Sequence, residues 1–227
     1  MNIFVNARYQ RARMWSNVEL RRLGPLFSGA IANVSGWDDR DKEGSRYRHY
    51  FPHATSYTIT NIEGERGLQG ADGEIRLDLE QPLPQELERR FDVVLNHTVL
   101  EHVFDVFTAF GNLCKMSKDA VIVVVPFAQT EHWSTSYGDY WRFTPGALER
   151  LFANCGFTLA YVSANDVTDT AVYVLGVGVR DAARWKGRLP AVAERRALAT
   201  WLGRRFLGDT AMEVAARYPR FGRWIGV

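Results

Sequence analysis

The run Phe91-Asp-Val-Val-Leu-Asn-His97 constrains the fold more than any other stretch of this chain. Phe91–Leu95 is a short, β-branched, apolar segment of the kind buried on both faces of a parallel sheet. It stops abruptly at two polar side chains, Asn96 and His97. A helical spacing follows, with Phe104, Phe107, Phe110, Leu113 and Met116 recurring every third residue. A second buried run, Ala120–Phe127, comes next. Buried strand, helix and buried strand form a unit whose strands run parallel and whose helices cover the sheet. In such open sheets a ligand sits beyond the carboxyl ends of the strands, which is where Asn96 and His97 fall.

The rest of the chain extends this unit. Trp15–Phe27 spaces Trp15, Val18, Leu23 and Leu26 among arginines and reads as an amphipathic N-terminal helix. Ala30–Val34, Ser56–Ile62 and Glu74–Leu79 read as strands, separated by polar loops over Trp37–Gly44 and Gly64–Gly73. Pro84–Arg90 reads as a short helix. Pro145–Cys155 is a helix with Thr144 as its N-cap, Pro145 in its first turn and Gly156 as its stop. Phe157–Ser163 and Thr170–Val179 are closing strands. The expected fold is α/β: a doubly wound, mostly parallel sheet with helices on both faces. Three pieces are expected: an N-terminal helical segment (1–28), the α/β domain (29–180) and a C-terminal appendage (181–227).

Charge sets the appendage apart. Through residue 179 there are 17 Lys+Arg against 22 Asp+Glu; from residue 180 on there are 11 against 4. Within it, residues 191–206 carry Arg195, Arg196, Arg204 and Arg205 beside Leu198, Trp201, Leu202 and Phe206. That pattern fits a basic amphipathic helix, either lying on an anionic membrane surface or packed on the domain. With 227 residues, 46% hydrophobic, and no apolar run near the roughly 20 residues of a membrane span, a globular cytoplasmic protein is expected, membrane-peripheral if the basic helix docks. Cys114 and Cys155 read as small apolar residues. His49, His53, His97, His102 and His132 lack zinc-site spacing, so no metal is expected. GxGxxG, Walker A and GxSxG patterns are missing. No nucleic-acid partner is expected.

The order "FDVV", "LEH" and "DYWRFTP", at Phe91, Leu100 and Asp139, resembles the second half of a class I S-adenosylmethionine (SAM)-dependent methyltransferase over about Leu77–Phe157. The "DYWRFTP" variant is similar to that of bacterial methyltransferases linked to polysaccharide and glycan synthesis. The resemblance implies a seven-stranded sheet ending in an antiparallel pair, and SAM as cofactor. It places Ser35 and Gly36 in the cofactor turn after the first strand, with Asn33, Ser35 and Trp37 departing from the family's acidic residue and glycines. It places Asn61 or Glu63 at the ribose, Asp78 and Leu79 against the adenine, and Asn96 and His97 beside the methionine part.

The stretch Glu131–Phe143 is dense in rings and polar groups, which suits stacking on a sugar face. Trp133, Tyr137, Tyr140 and Arg142 are the candidate acceptor-binding residues. Trp141 and Phe143 read as anchors of the helix that follows. His102 fits a packed or a catalytic histidine equally. His132 is the first candidate for a general base and His97 the second. The expected reaction is O-methylation of a sugar or glycan hydroxyl. The alternative is a catalytically silent binding or scaffold subunit, motivated by Asn33, Asn61 and the depleted glycine turn.

Overall fold

The computed structural model describes residues 3–64, 67–165 and 171–190. Seven strands form one sheet: β1 (Ser28–Val34), β2 (His53–Asn61), β3 (Ile75–Arg76), β4 (Phe91–His97), β5 (Ser117–Ala128), β6 (Thr158–Ala164) and β7 (Val172–Val179). Their order is β3-β2-β1-β4-β5-β7-β6. The first five run parallel; β7 is antiparallel to both β5 and β6. The order reverses beside β1, between β2 and β4, which makes the carboxyl ends of β1 and β4 the natural mouth of a site.

Alternation along the strands sorts the two faces. Val93 and Leu95 of β4, Ile122 and Val124 of β5, and Leu175 and Val177 of β7 share a core with Leu20 and Leu23 of α1 (Ile3–Leu23). Each fully buried leucine contributes about 1.5–3 kcal/mol. The opposite face carries α2 (Val106–Met116) and α3 (Pro145–Asn154), joined by Phe110 packed edge-on against Phe152 at 4.8 Å. Gly176 and Gly178 of β7 let α3 approach: a Cβ on Gly178 would overlap the Phe152 ring. Thr144 caps α3 by accepting from Ala147 N–H at 3.0 Å, as its sequence position suggests.

Several elements differ from the expectations. The N-terminal helix begins at Ile3 and ends at Leu23, because Pro25 forces a 3-10 turn over Gly24–Leu26. β3 is two residues long, and residues 84–90 make only a 3-10 turn at Gln85–Leu87. Among the described residues no α-helix connects β1 to β2 or β2 to β3. The glycines at 64, 67, 70 and 73 explain the second gap, since Gly64, Gly70 and Gly73 have positive φ.

The expected boundary at 180 does not coincide with a packing boundary. α4 (Ala182–Trp185) buries Trp185, whose ring lies 4.9 Å from Phe27 and whose Nε1–H donates to Asp119 at 3.0 Å. The compact unit runs to Val192. The basic helix expected at 191–206 lies outside the described residues. Among the described residues no helix is long and apolar enough to cross a membrane.

Candidate active site

A cleft of about 1420 Å³ opens at the carboxyl ends of β1, β3, β4 and β5. Ser35 and Gly36, Asp78 and Leu79, His97, and His132, Trp133, Tyr137 and Tyr140 all line it. Ser35 and Tyr140, 105 positions apart in the chain, thus meet because each follows a strand of one sheet. Asn61, Glu63, Asn96 and Arg142 do not line it.

The turn after β1 has an unusual backbone. Ser35, Trp37 and Asp39 all have positive φ, a conformation that costs a non-glycine residue roughly 1–2 kcal/mol. The chain therefore adopts a glycine-like path at Ser35 and Trp37 without the glycines. Two buried side chains hold it. Asn61 accepts from Trp37 N–H at 2.8 Å and donates to Trp37 O at 3.0 Å, while its Nδ2 also reaches Glu74 at 2.5 Å. Asp39, fully buried, accepts from Asn33 at 2.9 Å and Tyr57 at 2.8 Å and pairs with Arg48 at 3.2 Å. Gly36 is required because a Cβ there would run into the Asn33 amide. The N–H groups of Ser35 and Gly36 face Thr60.

Asn61 is thus occupied in fastening the turn, which removes it from the cleft. Glu63 is exposed and paired with Arg76, where the Arg76 guanidinium holds its carboxyl below the usual range. Neither supplies a ribose acceptor in the cleft. Asp78 lies in the cleft wall and caps its own turn, accepting from Glu80 N–H at 2.9 Å.

At the end of β4, Asn96 is fully buried and donates to Val34 O at 3.1 Å, tying β4 to β1. His97 sits at the cleft floor, 2.8 Å from Ser16 Oγ of α1, with Tyr47 packed on its ring. Burial and the nearby Arg13 charge lower His97 to about 3. It is therefore neutral, and a poor proton acceptor.

His132 differs. Its Nδ1 lies 3.0 Å from Asp139 Oδ2, and its backbone N–H donates to the same oxygen at 2.8 Å. The Asp139 side chain is buried and gripped at both oxygens by Arg142, at 2.5 and 2.8 Å. Burial works against the Asp139 charge, yet Arg142 and the His132 N–H hold its carboxyl below the usual range. Burial lowers the pKa of His132, with Asp139 opposing that shift. The His132 ring lies 4.8 Å from His102 and 6.3 Å from Tyr137. Gln129 Nε2 also approaches Nδ1, at 2.7 Å. With the Gln129 amide turned so that its otherwise unpartnered Oε1 faces Nδ1, the Nδ1 hydrogen points at Asp139 and the imidazole lone pair lies on Nε2. Arg142 thus acts from behind the wall, as the support of Asp139.

Trp133 and Tyr140 are 69% and 51% exposed at the rim, enough ring surface for an acceptor to stack on. Tyr140 packs edge-on against Phe104 at 5.3 Å. Trp141 ties its own segment to the turn before α2: its Nε1–H reaches Val103 O at 3.0 Å. Phe143 is buried.

Sequence reasoning missed three contributors. Arg13 lines the cleft from α1, and Ser16 partners His97. The chain marks neither, because an arginine and a serine on an amphipathic helix look solvated. Glu101, a carboxylate in a short turn where solvent exposure is the rule, is 1% exposed. Among the described residues no group of three or more His, Cys, Asp or Glu is arranged to hold a metal ion.

No family model matches the chain, and no curated protein does. Solved structures do. The magnesium protoporphyrin IX methyltransferase of Synechocystis PCC 6803 with bound S-adenosylhomocysteine aligns at TM-score 0.53 and 12% identity, over 80% of this chain and 89% of that one. The same enzyme with bound SAM aligns at 0.51, with 12% identity, over 80% and 85%. An S-adenosylmethionine-dependent methyltransferase from Mesorhizobium loti aligns at 0.53 and 16% identity, over 74% and 98%. The strand order, the antiparallel closing pair and these alignments together give the chain the fold of the class I SAM-dependent methyltransferases.

Proposed function

We propose that the protein is a SAM-dependent methyltransferase that O-methylates a sugar or glycan hydroxyl. One observation carries the reading: an Asp-supported histidine, His132, in the wall of a cleft at the carboxyl edge of this sheet. The fold neighbours solved with SAM or S-adenosylhomocysteine support the cofactor. The residues present fit it in part. The glycine-like turn at Ser35–Trp37 allows close backbone approach, and Asp78 and Leu79 offer an adenine wall. A ribose carboxylate at the end of β2 is missing, since Asn61 holds Trp37 and Glu63 faces Arg76. Binding is therefore weak for this fold.

When bound, SAM supplies an electrophilic methyl on a sulfonium. The protein's part is alignment and proton removal. Trp133, Tyr137 and Tyr140 stack on and orient the acceptor, which gains mainly from proximity. His132 takes the hydroxyl proton as the oxygen attacks. Asp139, gripped by Arg142, stabilises the imidazolium so formed.

A binding or scaffold role without catalysis is the second reading, favoured by the missing ribose carboxylate. Calorimetric titration with SAM and S-adenosylhomocysteine separates the two. The methyltransferase reading expects saturable binding in the micromolar to millimolar range. Folded protein with no heat at millimolar ligand leaves the scaffold role.

A further inference from the structure

Glu101 is 1% exposed, and neither of its carboxylate oxygens meets a hydrogen-bond partner among the described residues. Charged groups reach it from the elements packed around it: Arg13 of α1, His102 of its own turn, and Asp139 and Arg142 of the segment 129–144. Neither arginine satisfies it. Arg142 directs its N–H groups at Asp139, Trp141 O and Gln129 O. Arg13 hydrogen-bonds Tyr173. His102 Nε2 lies 3.9 Å from Glu101 Oε1.

The other nitrogen of His102 fixes where its hydrogen is. A carbonyl oxygen only accepts, so the 2.6 Å contact between Nδ1 and Gly138 O places a hydrogen on Nδ1. In the neutral ring Nε2 then carries a lone pair, and it faces the lone pairs of an ionised Glu101. Two facing acceptors closed off from water are unfavourable. One added proton removes the conflict, on Oε1 or on Nε2. Burial, with Asp139 adding to it, pushes Glu101 up to about 7, and burial pulls His102 down, so the carboxylic acid is the better holder.

We propose that Glu101 carries one buried proton beside the His102 Nε2 lone pair, 3.9 Å away, and that this proton fastens the 129–144 segment to the cleft wall. The fastening is two backbone contacts. His102 Nδ1–H donates to Gly138 O, and Tyr140 N–H donates to Glu101 O at 2.7 Å. Gly138 lies between Tyr137 and Asp139, so both the acceptor wall and the carboxylate behind His132 hang from this turn. Loss of the proton leaves an anion facing Nε2. The His102 ring relieves that by turning, which breaks its bond to Gly138. Glu101 is thus a positioning residue acting through His102. The inference rests on the proposed methyl transfer only for its effect on turnover.

The test uses the full chain without cofactor. Carboxyl NMR on protein labelled at glutamate side chains should show one glutamate titrating near pH 7, and its signal should vanish in Glu101→Gln. Hydrogen exchange across 129–144 is then compared at pH 6 and 8.5, corrected for intrinsic rates. Glutamine offers Nε2 an N–H donor at every pH. The wild type should lose about tenfold protection at pH 8.5 relative to pH 6, while Glu101→Gln should not change. A Glu101 midpoint in the ordinary carboxylate range overturns the proposal, as does an equal change in both proteins. If the variant does not fold, the wild-type titration and its loss of protection relative to α3 decide alone. Neither readout involves SAM, so a failure to bind SAM would sink the proposed function and leave this result standing.

Discussion

His132 and His97 face the same cleft with opposite surroundings, and the two should respond differently to substitution. If His132 takes the acceptor proton, His132→Ala lowers turnover by roughly 10²–10⁴-fold, the span of a general base. SAM affinity, read by calorimetry, should stay nearly constant, because His132 touches the acceptor side. A large loss of SAM affinity would mean that His132 shapes the cofactor site instead. His97 acts on stability. Its folded pKa of about 3 lies below its ordinary 6.5, so the unfolded chain binds the extra proton between those values. The stability due to neutral His97 is full above pH 6.5. It is lost by about 1.4 kcal/mol per pH unit as pH falls toward 3. His97→Gln keeps a group able to bond Ser16 and removes this titration. Urea midpoints measured from pH 4 to 7 should therefore fall less steeply with acid in the variant than in the wild type. Parallel curves would show that His97 does not set the acid limb.

At the scale of elements, the turn after β1 is stabilised from a neighbouring strand. The substitution Asn61→Asp would put a carboxylate at the end of β2, where the proposed ribose contact lacks one. Here it should do harm. It removes the donor that holds Trp37 O and sets a carboxylate against Glu74. A loss of roughly 1–3 kcal/mol is expected, the cost of a buried group left without its partner. Denaturant unfolding checks this, and unchanged stability together with tighter SAM binding would reverse the assignment. The elements that were legible in the sequence share a cause. β4, α2, β5 and α3 carry strong local signals: buried runs, a three-residue apolar spacing, and the Thr144-Pro145 start. What was not legible depends on partners far away. Asn61 reads as a polar strand end, and only the fold shows Trp37 beneath its amide. Trp37 reads as a damaged glycine position, and only the backbone shows it in a glycine's conformation. The first three turns of α1 are not legible because residues 3–14 lack a clear apolar period.

For the whole molecule, a mostly parallel sheet with its cleft at the carboxyl edge could be read from β4 onward, since parallel topology dictates where a ligand sits. The C-terminal boundary could not, because Trp185 and Leu189 join the core through a ring contact and burial that composition hides. Truncation makes the difference measurable. The reference is a chain ending at Val192, the end of the compact unit. One ending at residue 180 loses Trp185 and should lose several kcal/mol, about 3–5 for a large buried aromatic. The basic residues beyond 192 are the place to test vesicle binding. Sedimentation with anionic vesicles that survives truncation at Val192 would rule out the tail as the membrane contact.

The packing of α1 also bears on how the chain is made. This helix is synthesised before the strands it packs on, yet its apolar side faces β4, β5 and β7, and Glu19 accepts from Tyr161 and Ser163 of β6 at 2.6 and 3.0 Å. Those partners lie up to 144 residues downstream. On a ribosome adding about 5–20 residues per second, α1 emerges well before the strands that cover it. Closure of the domain is therefore a late, non-local step, the kind that slows folding. Until β6 and β7 leave the exit tunnel, Leu20 and Leu23 are open to holdase chaperones, and the nascent N-terminal half has no native state of its own to fall into.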